Sequence, residues 1–574
     1  MPESRPADPA GGAAHWNPSV RPERRAADHY QPDAGQLEAL RGIGFTAVQA
    51  LPRHGVLRGS GCVALLGDGP AEKNLLAAEA LQGIAFETRR ADYPRSLMGV
   101  IALLRQTFSD AQWYQVALGA AARNKAERPA QNDSLAALSA CISGRQTAAF
   151  QARDELDFAR AARIAEEFGL RLAYLGNGYE YRAVEAIRAA KPAAAVVPLG
   201  FPHAPAVESP ELADEVSLEA LEHWDLAPSN AALLAAAKLP ICLTAHGMKK
   251  PADEFWKAVR QAVRRGLSAD AALRALTSQP AELLGETGRL GTVAPGKLAN
   301  LAVADGDLFA DKEAKLWMTW VEGEPFESER AREIDPRGEW EIRYTGAEGP
   351  ARLAITGEPG KPKVKAGDAE VPAERRGDQL LLFPAAKLFG IDGDEAGAAR
   401  LTGYLMAGGG GLAGVGALPG GKEFSWSAKR VGDAKPEEKK AEDDDKTGDA
   451  EPRRFAKYPA GAYGRAALPD QPAALLIRGA TVWTCGEAGV LESGDVLVKA
   501  GKIAEVGIGL AAPEGAAVID GAGLHVTPGL IDCHSHSAIS RGINEGSHAV
   551  TVECRIGDVL NPADIALYRE LAQG

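Results

Sequence analysis

The chain has 574 residues, of which 45% are hydrophobic and 25% charged, and its formal net charge is −13. This length exceeds the roughly 250–300 residues at which one hydrophobic core stops growing, so we expect several structural units. The acidity argues against nucleic acid or an anionic membrane as main partner. The sequence contains no apolar run of about 18 residues, the length that would predict a membrane span.

Strand-like and helix-like patterns alternate from residue 36 to residue 266. Short apolar runs typical of buried strands lie at 44–52, 62–68, 147–153, 171–177, 194–201 and 240–246. Helical spacing of apolar residues occupies 94–123, 154–169, 181–190, 228–238 and 253–265. Such alternation predicts a parallel sheet. Seven or eight strand–helix units in about 250 residues favour a TIM-like (β/α) barrel over a doubly wound sheet.

After residue 285 the pattern changes to short strands joined by Gly- and Pro-containing turns. Residues 338–430 keep this β character and predict an additional antiparallel β-domain. Residues 431–457 are charged and nearly devoid of apolar side chains, which favours a disordered linker over an interaction tail. Alternating strands return from residue 473 onward.

One short motif carries metal chemistry. His534-Ser535-His536 follows an apolar, strand-like run at 526–532. On a strand, residues i and i+2 point to the same face, so both imidazoles can reach one ion. Imidazole nitrogen suits zinc, iron or nickel, and a catalytic site adds further ligands while leaving a position for water. Alone, an HxH pair is weak support for such a site.

The surroundings of the histidine pair resemble the amidohydrolase superfamily, particularly its imidazolonepropionase- and dihydroorotase-like branch. The similar stretches are LIRGATVWT at 476–484 and VIDGAGLHVTPGLID at 518–532. The resemblance implies a β/α barrel with a β-sandwich, and His534 and His536 as ligands of a divalent metal, zinc being favoured, at the end of the first barrel strand. It places the remaining ligands and the general base on later strands, which we expect beyond Gly574. The catalytic residues are therefore unknown.

A second stretch resembles the closing part of the same superfamily. It comprises ALRALTSQPAELLG at 272–285 and GRLGTVAPGKLANLAVADGDL at 288–308. A segment that resembles the end of the superfamily's domain thus precedes a segment that resembles its beginning. This order fits either a circular permutation or two units in tandem. Residues 20–44 and 550–574 align without a gap and share seven identical residues. A permuted single barrel would need this segment once, so the repeat favours the tandem arrangement.

The first unit carries a weak ligand set. By the resemblance, its strand-end histidines and aspartate would fall at Gln151, Asn177 and Ala245 or His246. Glutamine and asparagine are poor ligands for borderline metals. We therefore interpret these positions as the strand ends of a degenerate barrel without the usual metal site, with His246 as a hydrogen-bonded histidine.

These interpretations predict five segments. They are an amidohydrolase-like barrel lacking its first strand (1–285), β-sandwich closing strands (286–330), the antiparallel β-domain (338–430), the charged linker (431–457), and the start of a second unit with sandwich strands, first barrel strand and first helix (473–574). We expect the chain to be truncated at both ends. Asn544, Glu545 and His548, in the loop after the predicted first strand, are candidate substrate-binding residues.

The expected function is metal-dependent hydrolysis of a non-peptide C–N bond in a cyclic amide or imino substrate. We expect this fragment to be inactive by itself. The alternative is a non-catalytic barrel and β-domain that acts as a binding or scaffold module. A small-molecule substrate is the expected partner, and a homo-oligomer is left open. The N-terminus has no signal segment, which favours the cytoplasm for the chain as given, although a complete form could be exported.

Overall fold

A computed structural model describes residues 13–124, 127–312, 314–327, 334–344, 351–358, 360–385, 397–406, 409–433, 467 and 471–572. They fall into two compact units. The first comprises residues 1–95 and 99–454, and the second comprises residues 96–98 and 455–574. In the described ranges, no helix has both the length and the apolar character needed to cross a membrane. The predicted linker at 431–457 lies outside these ranges, apart from its first three residues.

The centre of the first unit is a six-stranded sheet. Its strands, in spatial order, are β2 (Leu57–Ser60), β5 (Gln82–Ala85), β6 (Ala148–Gln151), β7 (Leu172–Leu175), β8 (Ala195–Pro198) and β9 (Ile241–Thr244). The five strands from β5 to β9 pair in parallel, whereas β2 runs antiparallel to β5. This sheet therefore contains five parallel strands among the described residues, rather than the seven or eight strand–helix units expected from the sequence.

Helices connect and follow these parallel strands, as expected for β/α units. They are α3 (Leu97–Ala122), α4 (Asp133–Ala137), α5 (Ser139–Ile142), α6 (Glu155–Phe168), α7 (Val184–Ala190), α8 (Pro210–Asp214), α9 (Leu218–Leu226), α10 (Asn230–Ala236), α11 (Pro251–Arg264), α12 (Ala269–Leu276) and α13 (Ser278–Leu283). The limits of α6 follow directly from its sequence. Asp154 caps its first turn by accepting from the backbone N–H of Leu156 and Asp157, and Gly169 ends it in the left-handed conformation.

Two of the expected barrel strands belong elsewhere. Helix α1 (Ala34–Arg41) precedes these two runs, and a short helix α2 (Ala71–Asn74) follows them. That antiparallel sheet consists of β1 (Ala47–Ala50), β3 (Cys62–Leu65) and β4 (Leu75–Ala77). The expectation that 44–52 and 62–68 enter the parallel sheet was wrong, because connections this short allow antiparallel pairing and leave no room for a crossover.

The rest of the first unit is antiparallel. A three-stranded sheet contains β10 (Leu301–Ala304), β11 (Leu316–Val321) and β12 (Glu324–Glu327). A nine-stranded sheet follows with β13 (Gly338–Tyr344), β14 (Ala351–Glu358), β15 (Lys361–Ala366), β16 (Ala369–Val371), β17 (Ala373–Arg376), β18 (Gln379–Leu382), β19 (Arg400–Leu405), β20 (Gly411–Ala417) and β21 (Glu423–Gly432). Its order is β16-β15-β14-β13-β21-β20-β19-β18-β17. Only Pro372 separates the two edge strands, so the sheet curls around an apolar core that includes Trp340 and Trp426.

The second unit is a five-stranded sheet followed by a short helix. The strands are β22 (Ala474–Trp483), β23 (Val490–Lys499), β24 (Lys502–Gly507), β25 (Ala517–Asp520) and β26 (His525–Val526), and the helix is α14 (Ile565–Ala572). The predicted first barrel strand at 526–532 is not formed, because only β26 pairs there, with β22. Leu530 and Ile531 are each 90% exposed, so no described strand covers this segment.

Candidate functional site

The two histidines of the motif meet in the second unit. The Nε2 atoms of His534 and His536 lie 3.0 Å apart. Both side chains are exposed and sit in irregular backbone after β26, rather than at the end of a strand as the sequence predicted. A turn positions the pair, since the backbone N–H of His534 donates to Oδ1 of Asp532 at 2.9 Å. The expected convergence of the imidazoles therefore occurs on a loop.

This geometry fits part of a metal site. Two imidazole nitrogens bound to one tetrahedral ion at 2.0–2.1 Å would be separated by about 3.3 Å. The observed 3.0 Å is slightly shorter than this separation and equals an ordinary hydrogen-bond distance between two ring nitrogens. Among the described residues, however, no third His, Cys, Asp or Glu joins the pair in a group able to hold a metal. The pair thus supplies two of the roughly four ligands that a catalytic zinc site uses, water included.

The candidate substrate residues differ in exposure. Asn544 and His548 are exposed, whereas Glu545 is 8% exposed. Glu545 Oε2 accepts from the backbone N–H and the hydroxyl of Ser96, both at 2.8 Å, and its other oxygen accepts from Ser547. Glu545 therefore holds neighbouring backbone in place, and a role in substrate binding remains a proposal for Asn544, Glu545 and His548.

In the first unit, Gln151 lies at the carboxyl end of β6, where parallel sheets of this kind usually bind ligands. Its Oε1 accepts from Nη1 of Arg58 at 2.7 Å. Nη2 of Arg58 donates to Glu87 at 3.1 Å, and its Nε donates to the carbonyl of Gly55. The Arg58 guanidinium therefore bonds both Gln151 and the Glu87 carboxylate, and its positive charge at this position disfavours a metal ion.

Burial and the neighbouring charges act in different directions on the pKa of Arg58. The Arg58 side chain is 10% exposed and that of Glu87 is 29% exposed. Burial lowers the pKa of Arg58, the Glu87 carboxylate raises it, and the nearby Arg153 lowers it. Sequence reasoning missed Arg58 and Glu87. The available signal was the acidic residue directly after the apolar run at 82–86, at the same sheet edge as Gln151.

Asn177, after β7, belongs to a buried polar loop. Its backbone N–H donates to Oε1 of Glu180 at 2.7 Å, and Gly178 does so at 3.1 Å. Glu180 is fully buried and accepts a further hydrogen bond from Asn230. Burial raises the pKa of Glu180, against these hydrogen bonds. Asn177 thus helps to order the loop around the Glu180 carboxyl group, and this arrangement does not present it as a metal ligand.

His246, after β9, is exposed, and its backbone N–H donates to Thr244 Oγ1 at 3.1 Å. The more enclosed histidine at this edge of the fold is His223, which the sequence did not single out. Its ring stacks on Tyr179 with 3.7 Å between centroids, and its Nδ1 lies 3.3 Å from the Tyr181 hydroxyl. Burial lowers the pKa of His223, and the charge of Arg182 lowers it further.

Comparison with known proteins places these sites in a wider context. A profile of the amidohydrolase family matches residues 23–326. The dihydroorotase of Geobacter sulfurreducens is 56% identical over 62 residues, which cover 11% of this chain and 14% of that protein. The dihydroorotase of Geotalea daltonii is 64% identical over 45 residues, covering 8% and 11%. The chain therefore matches only a small part of the length of these relatives.

Among solved structures, an amidohydrolase from Thermotoga maritima is similar over 54% of this chain and 79% of its own length. The sequence identity is 25% and the TM-score is 0.46.

Proposed function

The chain belongs to the amidohydrolase family, and from this membership we propose that it serves in hydrolysis of non-peptide C–N bonds, with a divalent metal held by His534 and His536. The observation that carries the proposal is the 3.0 Å approach of the two Nε2 atoms. The names of the matched dihydroorotases and the resemblance of residues 476–536 to that branch support a cyclic amide or imino compound as substrate.

A divalent metal in such a site would acidify its bound water and polarise the substrate carbonyl. The chain's own contribution is to keep the two imidazole Nε2 atoms close together. The turn at Asp532 does this by fixing the backbone of His534. Because the described residues offer no third ligand in the group, we propose that this chain by itself binds metal weakly and turns over little substrate. Zinc is the favoured ion because imidazole suits it.

For the first unit we propose a barrel-derived fold that carries no metal and acts in binding rather than catalysis. The specific support is the Arg58 guanidinium, which donates hydrogen bonds to Gln151 and to Glu87 at the sheet edge. We also propose that the chain is organised as a tandem, with a degenerate unit at 1–330 and a second unit starting at 473.

Metal analysis of the purified full chain tests the histidine assignment. After dialysis against excess zinc, we expect bound zinc in the parent protein and at least about a tenfold weaker zinc affinity in His534→Ala and in His536→Ala, because each removes one of two ligands. His525→Ala is the matched control, since it removes another exposed histidine of the same unit. Unchanged zinc binding in both single variants would contradict the assignment.

A further inference from the structure

Two lysines of the first unit lie at helix ends where the backbone is left-handed. Lys191 ends α7 with φ +47°, and Lys238 lies just past the end of α10 with φ +59°. At the ends of α6 and α11 the left-handed residue is a glycine, Gly169 at φ +65° and Gly266 at φ +102°. Glycine adopts this conformation at no steric cost, whereas a residue with a Cβ does not. The chain therefore carries lysine at two positions where the backbone favours glycine.

Both lysines line one open cavity at the amino ends of strands β8 and β9. Its volume is about 710 Å³, which lies within the range of pockets that hold small molecules. Pro192, Leu239 and Pro240, in the segments that lead into these strands, supply apolar parts of its wall. Gln151 lies at the carboxyl end of the parallel strand β6, so this cavity is at the opposite end of the sheet from the Arg58 cluster.

The cavity is cationic in a protein whose formal net charge is −13. Arg188 also lines it, but its Nε donates to Oε2 of Glu185 at 3.0 Å, so its charge is compensated on the same helix. Among the described residues, neither Lys191 nor Lys238 has an ion-pair partner. Both side chains are exposed, so a ligand entering the cavity can reach two uncompensated ammonium groups.

We propose that this cavity binds a small phosphate monoester, with Lys191 and Lys238 donating to the phosphate oxygens and the organic part lying against Pro192, Leu239 and Pro240. A phosphate monoester carries a charge of about −1.5 to −2 at pH 7, which two ammonium groups balance. Each ammonium is a compact charge with three donors, which suits phosphate oxygens. Binding also accounts for the backbone, because residues held in a disfavoured conformation are typical of functional sites.

This site goes beyond the proposed function, because it uses neither the histidine pair nor the Arg58 cluster. The double variant His534→Ala/His536→Ala should therefore bind the phosphate monoester as the parent protein does. The two proposals can thus fail separately.

Phenyl phosphate is the probe, titrated into the purified full chain and followed by the width of its phosphorus NMR signal. We expect saturable binding with a Kd below about 1 mM. Lys191→Gly and Lys238→Gly should each raise this Kd about fivefold or more, because each removes one of two charge-assisted contacts. Glycine fits the left-handed backbone, so both variants should fold, which thermal unfolding checks.

Lys191→Gln and Lys238→Gln, which remove the charge and keep the Cβ, should weaken binding in the same way. Lys249→Ala is the matched control, since it removes an exposed lysine that follows the carboxyl end of β9, and it should keep the parent Kd. The proposal is overturned if phenyl phosphate shows no saturable binding, or if the Kd is unchanged in the variants of both lysines. Adipate binding as tightly as phenyl phosphate at the same ionic strength would show a general anion site and overturn the assignment to phosphate.

Discussion

His15 shows how a single buried side chain ties the first unit to pH. It is 5% exposed, and its Nδ1 accepts a hydrogen bond from the backbone N–H of Asn17 at 3.0 Å. Burial lowers the pKa of His15 from 6.5 to about 4, and the charge of Arg21 adds to the shift. The imidazole is therefore neutral in the folded unit at neutral pH.

The sign of the resulting pH dependence follows from the lowered pKa. The unfolded chain binds a proton near pH 6.5, whereas the folded unit does so only near pH 4. Stability from the neutral His15 is thus complete above pH 6.5 and is lost as the pH falls towards 4. It amounts to about 3 kcal/mol. The free energy of unfolding of the first unit, measured by urea titration at several pH values, should fall over this range.

His15→Asn should flatten this dependence, because an amide oxygen can accept from Asn17 N–H without titrating near pH 5. His29→Asn is the control, since His29 is exposed. An equally steep loss of stability in His15→Asn and in the parent protein would show that another group is responsible.

The residues of the candidate sites were only partly predictable. His534 and His536 are two apart in sequence, so their convergence follows from local geometry and could be expected. Gln151 was identified as a strand-end residue, but its partner Arg58 is 93 positions away along the chain. A pairing at that separation depends on how strands β2, β5 and β6 are ordered, and periodicity within each strand carries no information about that order.

At the scale of elements, local signals predicted helix α6 together with its limits, and they predicted several strands without their pairing. The helix predicted at 154–169 forms as Glu155–Phe168, because its cap, its apolar spacing and its terminal glycine all lie within its own sequence. The runs at 44–52 and 62–68 are strands as predicted, yet they pair antiparallel outside the main sheet. The run at 526–532 lacks a neighbour to pair with, so strand propensity alone does not form a strand.

The nine-stranded sheet depends on a close contact between two of its elements. Gly403 in β19 lies against the indole of Trp426 in β21, and a Cβ at that position would collide with the Cζ2 and Cη2 atoms of the ring. Trp426 is 3% exposed and packs within the sheet's core, so the ring has little room to move.

Gly403→Ala should therefore destabilise this sheet by about 1–3 kcal/mol through overpacking. Amide exchange of segment 400–432, in parent and variant, measures the change. Gly410→Ala is the matched control, because a Cβ there meets open space and the backbone is not left-handed. Equal exchange in Gly403→Ala and the parent would mean that the ring relocates without cost.

At the scale of the whole molecule, the candidate sites of the two units differ in their positively charged and metal-binding groups. In the first, Arg58 is a permanent cation, placed by the fold 3.1 Å from the Glu87 carboxylate. In the second, the imidazole nitrogens of His534 and His536 converge, and the described residues bring no third His, Cys, Asp or Glu to them. The family match lies at residues 23–326, and at the sheet edge of that unit Gln151 accepts a hydrogen bond from the Arg58 guanidinium.

Removing metal with a chelator distinguishes the Arg58–Glu87 ion pair of the first unit from the histidine pair of the second. EDTA should remove zinc from the chain while leaving amide exchange in β2, β5 and β6 unchanged, because the guanidinium that balances Glu87 is covalently part of the fold. In Arg58→Met the same strands should exchange faster, by an amount corresponding to about 2 kcal/mol, since a partly buried carboxylate loses its partner. Arg188→Met is the control, because its pair with Glu185 is mostly exposed and should contribute under about 0.5 kcal/mol. Faster exchange in β5 and β6 of the parent protein on adding EDTA would show that the first unit holds a metal after all.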